Sequence, residues 1–101
     1  MMRVVAVCFF LVTALATNVS ADATKGQSTY AARGCIGCHG AGGKSVVPTY
    51  PSLQGQSASF VSKSLTDFRS GARKNPVMNA MANGLSDDDI ANLADYIGSL
   101  E

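Results

Sequence analysis

The stretch Arg33-Gly34-Cys35-Ile36-Gly37-Cys38-His39-Gly40 holds the only histidine of the chain and every cysteine except Cys8. A C-x-x-C pair followed at once by an imidazole admits several chemistries. A disulfide between positions 35 and 38 closes a loop too small to staple a domain. A thiol–disulfide exchange pair belongs at the strand-to-helix turn of a βαβ unit, and no strand pattern precedes Cys35. A zinc site gains two thiolates and one imidazole, but the chain has no second histidine to complete it. The remaining reading is a flat cofactor anchored by both thiols and ligated by the neighbouring ring. The rest of the chain decides among these.

On the N-terminal side, residues 1–21 begin with a single charge, Arg3, followed by the apolar run 4–16. They end in Val19-Ser20-Ala21, with small side chains in the last positions. This is the layout of a cleavable secretory leader cut after Ala21, and its apolar run is short for a bilayer span. Cys8 leaves with it, and residues 22–101 form one domain. Loss of the leader removes Arg3 alone among the charged residues, leaving seven basic against seven acidic. No basic patch argues for nucleic acid, and no like-charge run for a polyionic partner.

On the C-terminal side the signals are helical. Residues 22–33 read as a first helix capped by Asp22, with Gly34 past its end. Glycines and prolines make 40–56 an irregular loop. Ser57 caps a helix to Ser70, stopped by Gly71, with Phe60, Val61, Leu65 and Phe68 as its apolar face. Residues 73–84 form a short methionine-bearing segment, broken by Pro76 and closed by Gly84. Ser86 and Asp89 form a variant capping box, with Leu85 and Ile90 as its hydrophobic staple. The inward stripe Ile90, Leu93, Ile97 and Leu100 follows. The expected class is all-α, with three main helices.

A chain this short, rich in Ala, Gly and Ser and lacking Trp, buries a marginal core and commonly needs a staple or cofactor. Export, the missing core filler and the lone histidine all favour covalent haem. There Cys35 and Cys38 add across the vinyl groups and His39 offers its imidazole to iron.

The segments GCIGCHG (34–40), YPSLQGQ (50–56), LTDFRSGAR (65–73) and MNAMANGLSDDDIANLADYI (78–97) resemble a class I c-type cytochrome. The closest likeness is to one haem domain of the bacterial cytochrome c4 and c553 group. The resemblance implies one haem c, and first and last helices that cross, with Gly26 and Tyr30 against Leu93 and Tyr96. It implies that the Pro51 carbonyl accepts the Nδ1–H of His39, and that Met78, seven residues before Leu85, is the second axial ligand. Met81 then packs near the ring. Cytochrome c4 carries two such domains, this chain one, and without Trp the residue that contacts a propionate is unassigned.

Iron held by His39 and Met78 has no open site, so the expected function is one-electron transfer rather than enzymic catalysis. A thioether ligand raises the potential relative to two imidazoles. The expected protein is a periplasmic carrier without a permanent membrane anchor, a monomer or weak dimer. Its redox partners would dock at the haem edge through a small interface. Some of Lys25, Lys44, Arg69, Arg73 and Lys74 are expected around that edge or the propionates. Two alternatives are an electron-accepting subunit of a periplasmic dehydrogenase and a gas-binding protein with an open sixth site.

Overall fold

The computed structural model describes residues 21–101, and every regular element among them is helical. The expected leader, apart from Ala21, lies outside the described residues. The order is α1 (Ala23–Ala32), α2 (Cys35–His39), a 3-10 turn (Ala41–Gly43), α3 (Ala58–Ser70), α4 (Pro76–Asn83) and α5 (Asp87–Gly98). Side-chain caps set most of these boundaries. The Asp22 carboxylate accepts from the Thr24 and Lys25 amides at 2.9 and 3.2 Å. Ser57 Oγ accepts from the Phe60 amide at 3.2 Å, and Gly71, in the left-handed region at φ 83°, ends α3. At α5 the capping box is complete: Ser86 Oγ accepts from the Asp89 amide at 3.1 Å, and Asp89 Oδ2 from the Ser86 amide at 3.0 Å. Leu85 and Ile90 are both buried beside it.

α1 crosses α5, as the resemblance implied. The crossing depends on Gly26, where a Cβ would overlap the Asn92 carbonyl and lie 2.7 Å from Tyr96 Cβ. One turn on, Tyr30 meets Tyr96 edge-on, with ring centroids 5.5 Å apart and planes at 61°, an arrangement suited to the ring quadrupoles. Leu93 is fully buried with Tyr30. α3 lies along α5 through Val61 and Phe68, and α4 packs on α3.

Four details differ from expectation. Pro76 does not break the 73–84 segment; it is the first residue of α4, so Met78 lies in a helical turn. Proline suits that position because its fixed φ is helical and its missing N–H would have had no partner there. The Asn75 side chain accepts from the Val77 and Met78 amides at 3.1 and 3.0 Å, which completes the start. Phe60 is half exposed at a cavity that Leu65 and Phe68 also border, and Val61 and Phe68 are the residues of this face that are buried in the core. Leu100 falls beyond α5 and is half-buried against Gly43. The helix through the cysteine motif, α2, was not expected, since five residues are too few to carry a periodic pattern.

Candidate functional site

α1, α3, α4 and α5, with the 40–56 loop, enclose a cavity of about 560 Å³. That lies within the ~300–1,000 Å³ typical of small-molecule and cofactor clefts. α2 brings Cys35, Cys38 and His39 to its wall, α4 brings Met78 and Met81, and Tyr30, Phe68, Leu85, Leu93 and Ile97 give it an apolar lining.

Local backbone geometry places the histidine. Gly34, left-handed at φ 77°, turns the chain out of α1 and starts α2. At the other end Gly40 takes φ 87°, where a Cβ would overlap the Lys44 carbonyl, so only glycine fits. The Tyr30 hydroxyl donates to the Gly40 carbonyl at 2.6 Å, tying the end of α2 to α1. The 40–56 loop is drawn back by the Leu53 and Gln54 amides, which donate to the Gly43 carbonyl at 2.7 and 3.2 Å. Ser52 Oγ accepts from the Ser45 amide at 3.0 Å.

This folding delivers the Pro51 carbonyl to His39 Nδ1, at 2.8 Å. A carbonyl only accepts, so Nδ1 carries the proton and the neutral ring keeps its lone pair on Nε2, the form a metal takes. His39 is the one buried polar residue among those described, and the bond removes its freedom to turn.

Cys35 and Cys38 are free thiols, both half-buried. Burial pushes the Cys35 thiol above its usual range. An exchange pair needs the opposite, a thiol whose pKa is lowered. Among the described residues no group of three or more His, Cys, Asp and Glu is placed to hold a metal ion, so the zinc reading lacks its remaining ligands. A flat apolar cofactor fits better. Two thiols, an oriented imidazole and two thioethers border one cavity. Tyr50, Phe60, Val77 and Met81 at its rim are 37, 50, 54 and 38 % exposed, apolar surface that such a group would cover.

Of the two methionines, Met78 is partly buried against the core, while Met81 is the more exposed. Of the five basic residues singled out in the sequence, only Arg73 borders the cavity. Its guanidinium lies 4.6 Å from the Phe68 ring centroid and donates to Ser64 Oγ at 3.2 Å. Arg69 instead pairs with Asp87 at 2.7 Å and donates to the Leu85 carbonyl. Arg33 also borders the cavity, 3.8 Å from Asp89; sequence reasoning missed it because it reads as an ordinary helix end. The tie from Tyr30 to Gly40 was likewise missed, since only the packing of that ring left a trace in the sequence.

Known proteins match this arrangement. The family model for cytochrome c matches residues 23–101. Cytochrome c-554(548) of Halomonas halodenitrificans is 46 % identical over 70 residues, covering 66 % of this chain and 84 % of its own. The thiosulfate dehydrogenase electron acceptor of Stutzerimonas stutzeri is 40 % identical over 87 residues, covering 78 % of this chain and 40 % of its own. A solved cytochrome c4 from Acidithiobacillus ferrooxidans superposes with a TM-score of 0.72 at 30 % identity, over 79 % of this chain and 50 % of its own. The chain therefore spans about half or less of these last two proteins. Its homologues are cytochromes c, electron-transfer proteins rather than enzymes. On fold, motif and match over residues 23–101, the chain belongs to the cytochrome c family, with covalently attached haem c as its cofactor.

Proposed function

We propose that this chain is an exported single-electron carrier whose haem is anchored by thioethers to Cys35 and Cys38 and ligated by His39 and Met78. The observation that carries this reading is the bond from His39 Nδ1 to the Pro51 carbonyl, 2.8 Å. It leaves Nε2 free on a ring that borders the same cavity as both thiols and Met78. When bound, haem supplies a one-electron couple at iron. The Pro51 carbonyl orients His39 and raises its basicity. Met78 would hold the iron together with His39, which would leave no place on it for a substrate. The apolar walls exclude water, and with the thioether they favour the reduced state. The leader read in residues 1–21 directs the chain to the periplasm, where it works as a monomer or weak dimer and meets redox proteins through a small interface at the haem edge. Among the described residues no helix is long and apolar enough to cross a membrane.

The likeness to a dehydrogenase electron acceptor favours a second reading, a subunit bound to such an enzyme. Purification separates the two: a free monomer supports the carrier, and a stable complex with a dehydrogenase supports the subunit.

The ligand assignment is tested by substitution in the holoprotein. Met78→Ala abolishes the weak sulfur-to-iron charge-transfer band of the ferric form, lowers the potential in a redox titration and opens the iron to carbon monoxide. Met81→Ala keeps the band. The reverse pattern transfers the role to Met81.

A further inference from the structure

α4 has eight residues, too few to be stable alone, and its packing partner is α3. What fixes its first turn is a side chain that sequence reasoning passed over. Asn79 donates from Nδ2 to the Phe68 carbonyl at the end of α3, at 2.8 Å, and to the Arg73 carbonyl in the α3–α4 loop, also at 2.8 Å. Its Oδ1 accepts from the Asn75 amide at 2.9 Å, just ahead of α4. The Asn79 backbone amide donates to the Asn75 carbonyl at 2.7 Å. Both donors and the acceptor of one carboxamide thus join three segments of chain. Met78 is the adjacent residue, in the turn so tied. Asn75 already caps the first α4 amides with its own side chain, so the two Nδ2 bonds of Asn79 are not needed for capping. Its bonds instead hold the helix start to α3 and the loop.

We propose that Asn79 is a positioning residue for the Met78 sulfur: its carboxamide holds the first turn of α4 against α3 and so limits how often that sulfur leaves its place. This rests on the assignment of Met78 to iron. An exogenous ligand reaches the iron only in the fraction of molecules whose methionine has swung away, so its apparent binding scales with that fraction. A net hydrogen bond contributes ~0.5–1.5 kcal/mol, and 1.36 kcal/mol is a factor of ten. Loss of the two Nδ2 bonds should therefore raise the open fraction by roughly five- to a hundredfold.

The test uses ferric holoprotein and imidazole as the probe. Asn79→Ala is expected to bind imidazole about tenfold more readily, with a weakened sulfur-to-iron band and a lowered potential. Asn79→Asp keeps the acceptor for the Asn75 amide and loses both donors, so it is expected to behave like Ala. Ser86→Ala, which removes the α5 cap and none of the Asn79 bonds, destabilises the fold and is expected to leave imidazole binding at the wild-type level. Wild-type binding in Asn79→Ala, or an equal increase in Ser86→Ala, overturns the proposal. Met78→Ala, measured alongside, separates the two levels. If it retains the band, the ligand assignment fails and the proposal falls with it. If it loses the band while Asn79→Ala stays at wild type, only the positioning role falls.

Discussion

Tyr30 connects packing to pH. Its hydroxyl is buried, donates to the Gly40 carbonyl at 2.6 Å, and has its pKa pushed up to about 12, chiefly by burial. An unfolded tyrosine ionises near ~10, so between these values the folded chain holds a proton that the unfolded chain has lost. The stability this contributes is complete below pH ~10 and is lost as pH rises through ~12. Tyr30→Phe should flatten that alkaline decline. At neutral pH it should cost about 1 kcal/mol, by leaving the Gly40 carbonyl without its donor. Denaturant titrations across the alkaline range check both; parallel pH slopes in the two proteins would refute it. The site residues that the sequence brings forward are those whose chemistry demands proximity along the chain: Cys35, Cys38 and His39, which in the proposed reading would share one ring. Pro51 came only through the family likeness, because a carbonyl twelve residues away leaves no compositional mark. Arg33, Asn79 and the Tyr30 hydroxyl were not legible, since each acts on backbone or cavity that only tertiary folding brings near.

Helix boundaries were read well wherever a side chain does the capping. Ser57, Gly71, Ser86 and Asp89 all act where their types suggested. Pro76 was misread because proline ends a helix from inside and begins one from its first position, and the Asn75 side chain decides which. Ser86→Ala should destabilise the holoprotein by about 1 kcal/mol, the usual effect of losing such a cap. Gly26→Ala should cost more. Its methyl group has no room against Asn92 and Tyr96, and overpacking of this kind costs about 1–3 kcal/mol. Gln27→Ala, one residue on and exposed, is the control expected near zero. Urea midpoints compare the three, and a Gly26→Ala midpoint equal to that of Gln27→Ala would mean that α1 and α5 can part without penalty.

Across the whole molecule, most of the buried apolar side chains among the described residues, Tyr30, Phe68, Ala82, Leu85, Leu93 and Ile97, border a cavity rather than closing over it. Without a filler, the apolar walls of this open cleft of about 560 Å³ would face water, and each large apolar side chain so exposed forfeits about 1.5–3 kcal/mol. A few such side chains amount to a large part of the ~5–15 kcal/mol stability of a small domain. The chain with both Cys35→Ala and Cys38→Ala, which cannot keep its haem, should therefore lose cooperative unfolding. Near-ultraviolet circular dichroism with a denaturant titration reads this out, and a sharp two-state transition without haem would refute it. α2 adds a consequence of timing. The anchoring side chains lie within five consecutive residues, Cys35–His39, whereas the crossing of α1 with α5 waits for residues up to Gly98. Attachment at these residues would therefore ask nothing of the finished fold. The covalent step would be open to the young, extended chain, with the last helix closing over the group afterwards.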